Sequence, residues 1–234
     1  MAHKTLIGGT GYDITFASSY DPVFANNTWE QIIAACHNKE VPDTWKVADQ
    51  KPMTINGVDY QIDIIGKNHD TYTAGGKAPL TFQMHDSYAN KKAMNSSHTN
   101  SGGWTSCAMR STHLSAILAL MPTEVQNGIR EVNKLTLAGS RSKTINTTAD
   151  KLFLLSEVEI FGSTTYSAAG EGTQYGYYKA GNSKVKKWNG SANYWWERSP
   201  NKSDADDFCF VASDGTAFTD WASTPYGVAF GFCF

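Results

Sequence analysis

Two short stretches set an imidazole beside a carboxylate, Asn68-His69-Asp70 and Met84-His85-Asp86, and such pairs are the raw material of acid–base catalysis. Neighbouring side chains on an extended chain point to opposite sides, so neither pair is expected to act as a dyad, and turn or structural roles are favoured. Asp204-Ala205-Asp206-Asp207 opens like a calcium loop, but Phe208 stands where an oxygen ligand is needed, and no glycine or closing glutamate follows in register. No metal is expected there. Cys36, Cys107, Cys209 and Cys233 have neither Cys-x-x-Cys nor zinc-finger spacing. They read as buried thiols, with Cys209–Cys233 pairing on neighbouring strands as the alternative under oxidising conditions. There is no Gly-x-Ser-x-Gly elbow, no His-Glu-x-x-His and no phosphate-binding loop, and the six histidines form no cluster in sequence. No catalytic residue and no cofactor are expected. Glu157, Glu159 and Arg198 are candidates for a buried ion pair, because Arg198 lies between Trp196 and Pro200 in an apolar setting.

The elements that must position these groups follow from pattern. The chain has 234 residues, 41% of them apolar and 12% aromatic, enough for one substantial core. Its net charge of −2, with dispersed Lys and Arg, argues against phosphate-backbone binding. No apolar run reaches membrane-spanning length, and the first residues lack the apolar centre of a signal peptide, so synthesis in a cytoplasm and no membrane insertion are expected.

Ile7-Gly8-Gly9-Thr10 and Ile55-Asn56-Gly57-Val58 each predict a hairpin, the second on a strong Asn-Gly turn signal. Thr28-Trp29-Glu30-Gln31 is a capping box that starts a helix over about 29–38. Leu114, Ile117, Leu118 and Met121 mark a second helix, ended by Pro122. Strands are predicted at 58–65, 80–84 and 151–155, and Ser156-Glu157-Val158-Glu159 caps a short helix that Gly162 ends. Residues 163–193 have no clear period and read as a long surface excursion. The fold class is α+β, with a mixed or antiparallel sheet and two main helices.

The last forty residues divide sharply. Trp195 to Pro200 and the alternation of Val228, Phe230, Phe232 and Phe234 with small residues read as frame, buried on both sides. Between them, residues 201–226 hold one lysine against five aspartates, a local charge of −4 that leaves +2 for the rest of the chain. Interleaved Phe218, Trp221 and Tyr226 would give rigid contact area at low entropic cost, as in antibody loops.

Trp195-Trp196-Glu197-Arg198-Ser199-Pro200, followed by Phe208-Cys209-Phe210-Val211, Asp214-Gly215 and Gly227-Val228-Ala229-Phe230, resembles a domain family of phages and prophages of gut bacteria marked by Trp-Trp-x-Arg-Ser-Pro. "WKVADQKPMTINGVDYQIDIIGKNHD", "GGWTSCAMR" and "TTADKLFLLSEVEIFG" extend the resemblance over about residues 25–234. It implies a C-type-lectin-like fold, related to formylglycine-generating enzymes, and kinship with the variable proteins of diversity-generating retroelements. In those systems adenine-directed mutagenesis rewrites a C-terminal stretch while framework codons stay fixed. Two departures stand out: Glu197 replaces a commonly apolar residue, and Trp188-Asn189-Gly190 is not the Trp-Asn-Asp of a calcium-dependent sugar site.

On this resemblance residues 1–20 form an N-terminal attachment hairpin, and residues 21–234 a ligand-binding domain with a diversified surface at about 190–226. The implied ligand contacts are Tyr194, Asn201, Asp204, Asp206, Asp207, Phe210, Ala212, Phe218, Asp220, Trp221, Thr224 and Tyr226, held by Trp195, Trp196, Arg198, Phe230 and Phe232. The implied function is a non-catalytic receptor-binding protein of a phage tail, with a host-surface protein or glycan, and other tail proteins, as partners. A structural virion protein and a Cys209/Cys233 copper oxidase are the alternatives.

Overall fold

The computed structural model describes residues 20–234, so the hairpin expected at Ile7-Gly8-Gly9-Thr10 lies outside the described residues. Helix α1, Trp29–Asn38, starts at the predicted capping box: Gln31 N–H donates to Thr28 Oγ1, and Thr28 N–H to Gln31 Oε1. Its stripe of Trp29, Ile32, Ala35 and Cys36 is buried, and Trp29 packs edge-on against Phe82 of the main sheet and donates its indole N–H to the Pro52 carbonyl. Strands β1 (Gln50–Ile55) and β2 (Val58–Lys67) form the Asn56-Gly57 hairpin, in which both turn residues take positive φ, 49° and 77°.

The main sheet adds β3 (Leu80–Met84), β6 (Leu152–Phe153) and the C-terminal β12 (Gly231–Cys233) in the order β1-β2-β3-β12-β6, every pairing antiparallel. Insertion of β12 between β3 and β6 explains the alternation read from sequence: residues 228–234 are all buried, with Phe232 stacked on Phe82. Gly231 has no alternative there, since a Cβ would lie 2.9 Å from Phe82 carbonyl oxygen and from the Phe153 ring. Strands β4 (Val132–Leu137) and β5 (Ile145–Asp150) pair as a ribbon, and β7 (Lys186–Trp188) and β8 (Ser191–Asn193) as another. The last three-stranded sheet is β11 (Ala217–Trp221), β10 (Asp207–Val211) and β9 (Trp195–Pro200). The fold is α+β.

Two expectations need correction. The second helix is not one regular element: α2 (Gly103–Ser106) breaks at Cys107, Met109–Leu114 is a π-helical turn, and α3 (Ser115–Leu118) completes the run. Pro122 then caps a helix absent from the sequence reading, α4 (Thr123–Gly128), consistent with proline's tolerance at helix starts. The stretch 163–193 is only partly a surface excursion. Ser167, Glu171, Tyr175, Tyr177, Tyr178 and Lys186 are buried, and α6 (Gly176–Lys179) packs against β2. The Asn189-Gly190 turn of the β7–β8 hairpin, at φ 50° and 79°, carried the same signal used at Asn56-Gly57.

What folds this aperiodic stretch is a buried polar frame. Helix α5 (Glu157–Phe161) begins at the Ser156 capping box and ends at Gly162, as predicted. Glu159 on α5 takes Arg198 Nη1 at 2.5 Å and Lys134 Nζ at 2.8 Å, and Lys134 also meets Asp70 at 2.8 Å. The remaining Arg198 donors reach Thr136 Oγ1 and the carbonyls of Leu135, Leu154 and Glu171. Tyr175 and Thr81 hydroxyls donate to Asp70. Lys134 and its hydrogen bonds hold the Asp70 carboxyl at about 2 against the opposing effect of burial. The expected ion pair is therefore real for Glu159 and Arg198, but Glu157 is not in it. The Glu157 carboxylate instead accepts backbone N–H groups of Thr165, Tyr166 and Ser167, which winds the aperiodic chain around one side chain.

Candidate functional site

The sheet β9-β10-β11 carries the segment that the sequence singles out. The framework residues read from sequence are all in the core, Trp195 and Trp196 on β9 and Phe230 and Phe232 at the terminal strand, and Trp195 and Trp196 donate their indole N–H to Lys184 and Lys92 carbonyls at 2.9 Å. Pro200 pairs with Phe208 and Trp196 with Phe210, so Glu197, Arg198 and Ser199 bulge opposite Cys209 alone. All three of these polar residues are buried, as is the rest of β9.

The outer parts of the sheet bear aromatic and acidic groups. Antiparallel pairing of β10 with β11 sets Phe210 opposite Phe218 and Asp207 opposite Trp221. Side chains alternate across a strand, so Phe218 and Asp220 share one face while Thr219 and Trp221 share the other. On the first face Phe210 packs on Tyr194, Trp196, Phe218 and Tyr226, with centroids 4.9 to 6.0 Å apart, and Tyr226 Oη donates to Asp220 Oδ2 at 2.5 Å. On the second face Trp221 stacks on His98 at 4.3 Å, and Thr219 Oγ1 donates to Asp207 Oδ2 at 2.9 Å. Phe218 and Trp221 are each 54% exposed and Tyr194 40%. Burial, with Asp204, Asp220 and Asp206 nearby, raises the Asp207 carboxyl above the ordinary range despite the Thr219 bond.

The implied contact set therefore divides. Tyr194, Phe218 and Trp221 are exposed, as is Asp206; Asp204, Asp207, Ala212, Asp220, Thr224 and Tyr226 are half-buried. Phe210 and Asn201 are corrections: Phe210 is buried under the aromatic cluster, and Asn201 is buried with its Oδ1 accepting Ser203 N–H. Both support the surface rather than form it. Asp204 Oδ1 accepts the N–H of Asp206 and so holds its own turn. The four cysteines are free and buried, as read from sequence, and only the alternative pairing of Cys209 with Cys233 is overturned, since they lie in different sheets, on β10 and β12, each thiol pushed well up by burial. His85 bonds Asp63 at 2.9 Å rather than Asp86, and His69 stacks on Tyr175, as the opposed directions of neighbouring side chains require. Among the described residues no group of three or more His, Cys, Asp or Glu is placed to hold a metal ion.

Sequence reasoning missed the residue that fixes the loop 201–207. Asn100, fully buried, donates from Nδ2 to the carbonyls of Asp204 and Asp207 at 2.8 Å, accepts Ser140 N–H on Oδ1 at 2.7 Å, and donates its own N–H to Ala205. Nothing local marks it, because these partners lie 40 to 107 residues away along the chain. Asn100→Ala is expected to cost about 1–3 kcal/mol, the penalty for stranding buried polar groups. Hydrogen exchange should show faster amides across residues 201–207, with the β10 ladder unchanged.

Residues 80–233, the larger part of the chain, match a family described as a domain of unknown function, DUF6273. No curated protein and no solved structure matches. The matched span contains the bulged strand, the acidic-aromatic sheet and the terminal strand, and the chain belongs to the DUF6273 family.

Proposed function

We propose that this protein is a non-catalytic binding protein: a phage or prophage tail-associated adhesin with a C-type-lectin-like fold, whose sheet β9-β10-β11 meets a host-surface protein or glycan. One observation carries the reading. Exposed Phe218 and Trp221 stand on β11 and Tyr194 just before β9, beside the buried tryptophans and Arg198 of β9, and Asn100 holds the carbonyls of Asp204 and Asp207, so outer side chains can change while the frame persists. That is what diversification by a retroelement requires of a scaffold, and rigid aromatics give contact area at small entropic cost. The burial of Cys209 and Cys233 in separate sheets disfavours the oxidase alternative. Particles form the proposed location, with other tail proteins as further partners and no role for nucleic acid or membrane insertion.

Sequencing the 3′ end of the gene across a growing population tests diversification: variants should concentrate in codons 193–226 and spare those for Phe210, Asn201 and residues 195–200. Adsorption tests the surface. Phe218→Ala with Trp221→Ala should reduce host-cell adsorption by about tenfold or more, with stability lowered by no more than about 1 kcal/mol because both rings are half-exposed. Unchanged adsorption would favour a structural virion protein.

A further inference from the structure

Strand β11 is the outer strand of its sheet, and no other strand among the described residues pairs with it. Its ladder is fixed by Ala212 N–H to Thr216 carbonyl and Ala222 N–H to Asp206 carbonyl. Residues 216, 218, 220 and 222 therefore turn their backbone groups toward β10, and Ala217, Thr219 and Trp221 turn theirs outward. Trp221 N–H is taken by Asp220 Oδ1 and its carbonyl by Thr224 N–H, which leaves Ala217 and Thr219 as the outward-facing pairing positions. The two exposed rings flank this edge from opposite faces, Phe218 on one and Trp221 on the other. A ligand resting on one face would use one ring; a strand laid along the edge would use both.

We propose that the β11 edge takes up an extended, basic peptide segment of the host-surface partner as a fourth strand; this rests on the binding reading above and narrows it to a polypeptide ligand. Backbone pairing at Ala217 and Thr219 supplies register, and alternate Lys or Arg side chains fall beside Phe218 and Asp220 on one face and Trp221 and Asp207 on the other. Charge selects the occupant. Residues 201–226 carry five aspartates and one lysine, so a second copy pairing edge to edge would bring two segments of −4 together, whereas a basic segment neutralises the surface.

The test titrates the full chain with a synthetic peptide of about ten residues that alternates Arg and Thr, followed by tryptophan fluorescence and isothermal calorimetry. Controls are the same peptide with alternate backbone nitrogens methylated and a version with Glu for Arg. Saturable binding is expected, weakened by salt, and reduced about tenfold or more by N-methylation and by Ala217→Pro, whose lost N–H points away from β10. The Glu peptide should not bind. Equal binding of the methylated peptide would overturn edge pairing even if Ala217→Pro fails to fold, and so would absence of binding by the Arg–Thr peptide up to about 1 mM. If adsorption still depends on Phe218 and Trp221 in either case, only the edge inference fails; if adsorption is indifferent to them, the binding reading fails with it.

Discussion

Arg198→Met should leave little folded protein, with denaturant midpoints showing a loss of about 3–5 kcal/mol, a large share of the stability of a typical domain. The guanidinium meets Glu159 through two nitrogens, at 2.5 and 2.9 Å, and three backbone carbonyls from β4, the chain before α5 and the 171 loop. Removal takes a donor from each of these groups away from water and leaves Lys134 as the only cation paired with Glu159 among the described residues. Arg198→Lys separates charge from geometry. It restores a cation for Glu159 but cannot fork to the carbonyls of Leu135, Leu154 and Glu171, so an intermediate loss is expected. Equal stability of the Lys variant and the natural protein would show that the carbonyl contacts carry no weight.

Glu197→Leu should act in the opposite sense, raising stability by about 1–3 kcal/mol at neutral pH, because neither Glu197 carboxyl oxygen has a hydrogen-bond partner in its fully buried position. Burial first, then Glu157 and Glu171, push this carboxyl well above its ordinary range, so the fold favours its protonated form. Glu171 is pushed up to about 7 by burial, against its bonds to Ser199 and Leu137. A carboxyl with a raised folded-state pKa binds its proton more tightly folded than unfolded. Its contribution is complete below the unfolded value of 4.5 and declines as pH rises through the folded value. Glu171 alone then lowers stability by about 3 kcal/mol between pH 4.5 and 7. Asp70, held at about 2, works the other way, and its contribution disappears only in stronger acid. Thermal melts from pH 5 to 8 should therefore fall in the natural protein and fall less steeply in Glu197→Leu and Glu197→Gln. The Gln variant should gain least at pH 5, since its amide is still unpartnered. A slope identical in all three would remove Glu197 from the pH response.

Local signals were legible where the interaction closes within a few residues. Thr28 and Ser156 announced their capping boxes, Asn56-Gly57 its hairpin, and the alternation at 228–234 a strand buried on both faces. The regular helix expected up to Pro122 failed because Cys107 and the π turn interrupt it, and tertiary packing decides such breaks. The 163–193 stretch looked like surface because its order comes from Glu157 gathering three backbone N–H groups and from Tyr175 and Tyr178 reaching β3 and the buried ion network, none of which leaves a period in sequence.

For the candidate site the same division holds. By itself the sequence determined that an acidic, aromatic segment lies between two rigid ones, because composition and alternation are properties of consecutive residues. Only the tertiary structure decided that Phe210 and Asn201 are buried, that Phe218 and Trp221 flank opposite faces of an outer strand, and that Asn100 ties the loop down. Burial and register depend on partners about a hundred residues distant along the chain, and a strand's outward face exists only once the neighbour on its other side is in place.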